Sequence, residues 1–456
     1  MKLLKSPILL GFAVLFLASC QTGQNKSETK AALSQTAVAE WAKDAVIYEV
    51  NIRQYTPEGS FTAFAEHLPR LQELGVDILW FMPIHPIGEL NRKGTLGSYY
   101  SVKDYKGVNP EFGTLDDFKA LVAKAHDLDM KVIIDWVANH SAWDNAWATE
   151  HPDWYAKDST GMMFGPFDWS DVAQLDYENT ELRAAMKDAM QFWVREADID
   201  GYRCDVAGMV PVDFWNDVRA SLDSIKPVFM LAEDETETDL LLNAFNSNYS
   251  WVFHHHLNKI ARGEETVSDM LPYFESLNTT MPVGAWPMQF TTNHDENSWN
   301  GTVQERMADA YPTMAALTFM VEGMPLIYSG QEAGLNKRLE FFEKDTIDWS
   351  NLSMTEFYEE LITLKKSNKA LWNGSAGGKM EIVTTNAPKE VLMFTRTMED
   401  NKVLAVFNLS AQPIVLTADP GMEGEYYDYF SKELISLPLN NFELEAWDYF
   451  VISTTN

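Results

Sequence analysis

Four apolar runs in this sequence end in residues that can carry charge or exchange protons. Asp135 is followed by Asn139 and His140, Arg203 and Asp205 stand two apart, Glu233 closes a third run, and His294-Asp295 follows a fourth. Singly, each has an ordinary explanation: an acid after a strand often caps a helix, an arginine often forms a surface ion pair, and a histidine is often merely hydrogen-bonded. Jointly they do not, because carboxylates gathered in one place repel and cost stability unless they have a task. Arg203, on the same strand face as Asp205, can keep that carboxylate charged, while the negative neighbours Asp205 and Asp295 push Glu233 toward its protonated form. One charged and one neutral acid on a common ligand is equipment for proton-transfer chemistry.

The elements that must bring these residues together are short apolar runs alternating with amphipathic segments. Val46–Asn51, Val76–Phe81, Lys131–Trp136, Gly201–Val206, Val228–Glu233, Gln289–Thr292 and Pro325–Tyr328 read as strands, with an eighth near Trp251–Phe253. Phe61, Phe64, Leu68, Leu71 and Leu74 mark one helical face, and Thr114 with Asp117 reads as a helix cap. Eight strands alternating with helices predict an α/β fold, a (β/α)8 TIM barrel, whose catalytic groups gather at the C-terminal strand ends. The stretch 141–179, rich in Trp, Asp and Gly, is too long for an ordinary connection and predicts an insertion after the third strand. Beyond residue 370 the runs Val391–Phe394, Val403–Phe407 and Trp447–Val451 predict a C-terminal antiparallel β domain, 371–456, leaving 41–140 and 180–370 as the barrel.

Asp135-Trp136-Val137-Ala138-Asn139-His140, Gly201-Tyr202-Arg203-Cys204-Asp205, Leu231-Ala232-Glu233 and Phe290-Thr291-Thr292-Asn293-His294-Asp295 resemble, in order and spacing, the four signature regions of the α-amylase family of glycoside hydrolases (family 13). The resemblance implies retaining cleavage of α-linked glucosides, with Asp205 as nucleophile, Glu233 as general acid and then base, and Asp295 as transition-state stabiliser. Retention requires two carboxyls about 5 to 5.5 Å apart, one attacking the anomeric carbon and one protonating the leaving oxygen. It also implies that His140, Arg203 and His294 serve the same sugar, and that Tyr100 stacks beneath it, with Tyr99 as its rival. The leading expectation is an α-amylase acting on internal α-1,4 bonds of starch, glycogen or maltooligosaccharides. A neopullulanase, cyclomaltodextrinase, α-1,6-glucosidase or glucanotransferase would share every residue named, and a non-catalytic glucan-binding lipoprotein is the alternative of another class.

No cofactor is required for this chemistry. A structural calcium ion is left open, with Asn139 as a candidate ligand beside acids of the insertion. Many α-amylases carry a Lys-His pair shortly after the nucleophile, but Asp205 is followed by Val206-Ala207-Gly208-Met209, which weakens the expectation of a calcium site and of a lysine contact to sugar. Ala173–Tyr177 matches a further family region loosely. His254-His255-His256 invites a metal reading, but adjacent histidines point in different directions.

The first residues carry a different message. Lys2 and Lys5, the apolar stretch Ile8–Leu17 and Leu17-Ala18-Ser19-Cys20 resemble a bacterial lipoprotein signal, 1–19, with Cys20 as the lipidated residue and 20–40 as a flexible linker. That predicts an exported, membrane-anchored lipoprotein facing the periplasm or cell surface. With Cys204 as the second and last cysteine, no intramolecular disulfide remains after lipidation. The 456 residues carry 67 acids against 35 Lys and Arg, a net charge of −32, which excludes nucleic acid as a partner and suits a neutral glucan without requiring one. Oligomeric state has no signature in the sequence.

Overall fold

The computed structural model describes residues 36–454, so the signal segment 1–19, Cys20 and the linker as far as residue 35 lie outside the described residues. Eight strands close a parallel barrel: β1 Ile47–Val50, β2 Ile78–Phe81, β3 Lys131–Trp136, β4 Gly201–Cys204, β5 Phe229–Ala232, β6 Ser247–Tyr249, β7 Trp286–Gln289 and β8 Met324–Tyr328. Each pairs with its sequence neighbours, and β1 closes the ring on β8 with Ile47 opposite Leu326. The strands are short, apolar and buried on both faces, as a parallel sheet sheathed by helices requires. Gly201 opens β4 because a Cβ there would lie 1.8 Å from the carbonyl oxygen of Phe229; only glycine lets β4 approach β5 so closely.

Three sequence expectations shift. The sixth strand is Ser247–Tyr249, and Trp251–Phe253 instead starts the helix Trp251–Ala261, whose buried Phe253, Leu257 and Ile260 recur at helical spacing. A strand reading Ser-Asn-Tyr has no apolar run to announce it. β7 ends where Gln289–Thr292 was expected to begin, because Pro287, which removes a ladder donor, sits inside the strand and disguised it. The face from Phe61 to Leu74 is divided into helices Phe61–Ala65 and Leu68–Leu74, the second admitting Pro69 in its first turn where no intrahelical donor is needed. The cap at Thr114 forms as read, with Thr114 and Asp117 satisfying each other's backbone N–H groups.

The barrel interior is filled by Ile47, Trp80, Ile133, Leu231, Tyr249, Met288 and Leu326. Its floor is closed by Trp41, which meets Phe229 edge-on at 6.1 Å. Ahead of it, the Ala37 carbonyl accepts from Arg219 Nη2 at 2.8 Å and Asn246 Nδ2 at 3.1 Å. The expected linker boundary at residue 40 is therefore corrected: the backbone is fastened to the barrel from Ala37.

The insertion is tied to the barrel by a two-stranded ribbon, His140–Ala142 against Val172–Gln174, which places His140 opposite Gln174. The C-terminal region forms a four-stranded antiparallel sheet in the order Met380–Ile382, Val391–Met398, Asn401–Asn408, Tyr449–Thr454, plus two ribbons. Buried Arg396 on this sheet donates to the carbonyls of Met320 and Val321 in the barrel and of Trp372 and Gly378 in the connection. The hydrogen bonds bind sheet to barrel through backbone groups that would otherwise be buried without donors.

Candidate active site

At the C-terminal mouth of the barrel the polar strand ends converge on a cleft of about 260 Å³, lined by Tyr100, His140, Asp205, Glu233, His294 and Asp295 together with Lys93, Trp169, Asp171, Trp299, Phe341 and Phe342. Arg203, from β4, lies at its floor, wholly buried between the ring faces of Trp80 and Tyr249. Its Nη1 donates to Asp135 Oδ1 at 2.8 Å and to Asp205 Oδ1 at 3.1 Å, its Nη2 stands 2.9 Å from Glu233 Oε2, and its Nε donates to Tyr249. The guanidinium does reach Asp205, but one cation serves three carboxyls and cannot by itself set Asp205 and Glu233 apart.

Burial raises the pKa of both carboxyls; negative charge adds to it, from Glu233 on Asp205 and from Asp295 on both, and Arg203 opposes it. Interacting acids in one desolvated pocket release their protons as a unit, so the pair keeps a proton where isolated carboxylates would have lost theirs. Glu233 has one further partner, the N–H of Val206 at 2.9 Å. Val206 presents that N–H from a left-handed conformation, φ 38°, which a β-branched residue adopts only when its surroundings force it.

The two histidines differ in charge. Burial pulls His140 down to about 3, so it is neutral, 4.0 Å from Asp205 Oδ2. Burial acts on His294 in the same sense, but Asp295 at 3.4 Å and Glu49 at 2.5 Å outweigh it and raise His294 to about 9. As a cation it donates from Nδ1 to Glu49 Oε1 and from Nε2 to the Tyr100 hydroxyl at 2.7 Å, which in turn donates to Asp135 Oδ2 at 3.0 Å. The chain Glu49, His294, Tyr100, Asp135, Arg203 thus fixes the ring of Tyr100 at the cleft. Tyr99, its sequence rival, is buried under Arg53 and does not reach the cleft.

His294 ties stability to pH. Its folded pKa of about 9 exceeds the ordinary 6.5, so its contribution is complete below pH 6.5 and is lost as pH rises through 9, by about 3 kcal/mol in all. The melting temperature should fall across that window, and Glu49→Gln, which removes one of the two anions, should flatten the fall. An unaltered slope in Glu49→Gln would refute the assignment.

A calcium cage takes six to eight oxygens. Asn139 turns its side-chain Nδ2 toward His140 Nδ1 at 3.2 Å, and its main-chain carbonyl accepts from the Leu175 N–H. Of the insertion acids, Asp144 and Asp171 pair with Lys103 and Lys93, and Asp158 accepts within its own turn. Among the described residues no group of three or more His, Cys, Asp or Glu is arranged for a metal. His254 and His256 face Glu296 and Glu265 respectively.

Sequence reasoning missed Glu49, although a carboxylate inside the apolar run Val46–Val50 is itself a signal. It also missed Trp169, Trp299 and Phe341, which carry no spacing that separates them from core aromatics.

Comparison with known proteins gives a consistent result. The family model described as alpha amylase, catalytic domain, matches residues 24–160 and 150–378. Alpha-amylase MalA of Haloarcula japonica is 26% identical over 401 residues, covering 84% of this chain and 58% of that protein, so the chain spans little more than half of this relative. The crystal structure of an alpha-amylase from Lactobacillus plantarum is similar at 31% identity and TM-score 0.82, covering 91% of this chain and 100% of the other. A maltogenic alpha-amylase, AmyB, from Thermotoga neapolitana is similar at 29% identity and TM-score 0.80, covering 91% and 97%.

Proposed function

The chain belongs to the alpha-amylase family of glycoside hydrolases, and from that premise we propose that it is a retaining hydrolase of internal α-1,4-glucosidic bonds in starch, glycogen or maltooligosaccharides. The observation that carries the reading is the sharing of one buried guanidinium by Asp205 and Glu233 in a cleft whose other wall is the ring of Tyr100. Asp205, as nucleophile, attacks the anomeric carbon while Glu233 gives its proton to the leaving oxygen; water then attacks the same carbon as Glu233 takes a proton back. Asp295 binds the hydroxyls of the distorted sugar, His140 hydrogen-bonds that ring, and Tyr100, held by cationic His294, offers it an apolar face. Attachment to a membrane through Cys20 rests on the sequence alone and is not needed for this reading.

The test is a timed product profile from end-labelled maltoheptaose. Early internal fragments are expected. Products longer than the starting sugar would replace hydrolysis by transfer, and an unchanged substrate would sink the α-1,4 reading. A second reading, release of maltose units from one end, is favoured by the likeness to the maltogenic Thermotoga enzyme. It predicts maltose from the first time point and no early fragments of intermediate length.

A further inference from the structure

Trp299 is 52% exposed, yet the residues on either side of it are held by hydrogen bonds. It lies in a π-helical turn, Glu296–Asn300, that begins directly after Asp295; such turns are rare and concentrate at functional sites. Every flanking residue is held. Glu296 is buried against His254 at 3.1 Å and accepts from Asn300 at 2.8 Å. Asn297 exchanges hydrogen bonds with Lys337 and Leu339, and Ser298 donates to the Leu339 carbonyl. Arg306 secures the ends of the segment through the carbonyls of Thr291 and Gly301.

The indole so mounted meets Phe341 at 5.2 Å and Phe342 at 5.7 Å, and the Phe341 ring runs nearly parallel to Tyr100 at 6.2 Å and 14°. An aromatic wall therefore continues from Tyr100 through Phe341 to Trp299, all three lining the cleft. The half of this large flat apolar surface that stays in water on a rigid mount is suited to the apolar face of a sugar.

We propose that Trp299 is a stacking platform for a glucosyl unit next to the one held on Tyr100, and that it sets how strongly turnover depends on chain length. The proposal rests on the reading of the protein as a glucan hydrolase. In Trp299→Ala, kcat/KM on maltoheptaose should fall about tenfold, mainly through KM, and on maltotriose less than about threefold. Trp299→Leu, which keeps an apolar side chain without a flat face, should behave like Trp299→Ala, and Trp299→Phe should restore most of the loss. Equal losses on both sugars, or none on maltoheptaose, would overturn the platform. Should the wild-type protein cleave neither sugar, the hydrolase reading fails separately, and calorimetric binding of maltoheptaose to wild type and Trp299→Ala still decides: equal affinities reject the platform, a weakened variant upholds it.

Discussion

Asp205→Asn is expected to lower kcat on a linear maltooligosaccharide by about 10⁴-fold or more, because an amide cannot form and release the glycosyl ester that the retaining route requires. The same substitution should leave the melting temperature unchanged or raise it. Burial and the neighbouring acids push the Asp205 carboxyl well above the usual range, so its charged form is held at a cost that a neutral isostere removes. Arg203 keeps Asp135 and Glu233 as partners in the variant, so no cation is left unpaired. Loss of activity together with loss of folding would mean that Asp205 is structural; activity within tenfold of wild type would overturn its assignment as nucleophile.

Glu233→Gln should reduce turnover of a glucan by about 10³-fold, yet cost less than about tenfold in the first step on α-maltosyl fluoride, whose leaving group departs without a proton. The second step then lacks its base, and the glycosyl ester on Asp205 should accumulate. Azide, a nucleophile that has no proton to lose, should release it as the α-configured glycosyl azide. Equal losses on glucan and fluoride, with no azide product, would remove Glu233 from the acid–base role. The two variants are complementary: the fluoride substrate should separate Glu233→Gln from Asp205→Asn, which is inactive on both.

Most of the barrel was legible because its strands are continuous apolar runs closed by polar residues, and that closure also marked Asp135, His140, Arg203, Asp205, Glu233, His294 and Asp295. What escaped notice did so for physical reasons. Ser247–Tyr249 is a strand by virtue of its neighbours on the barrel ring and not of its own hydrophobicity. Glu49 sits within a run otherwise apolar, and its meaning depends on His294, 245 residues away. Trp299 and Phe341 have the composition of core residues, and only the fold shows one of them half in water. A spacing of two made the link from Arg203 to Asp205 legible, whereas the distances that link it to Asp135 and Glu233 arise only when β3, β4 and β5 lie side by side.

On the mechanism proposed above, the sharing of Arg203 also supplies an order of events. In the resting site the guanidinium is divided between Asp205 and Glu233, and the charge on Glu233 raises Asp205, a repulsion that by Coulomb's law acts on both. Once Asp205 is tied up as an ester its negative charge is gone: Glu233 loses a repelling neighbour and faces a cation that one fewer anion neutralises. Both changes make Glu233 more acidic, and they come just after it has given up its proton and must stay ionised to receive another from water. When the ester is hydrolysed the charge on Asp205 returns and Glu233 becomes a weaker acid again, ready for the next bond. The covalent state of one carboxylate thus acts as a clock for the protonation of the other, and the hand of that clock is a single arginine.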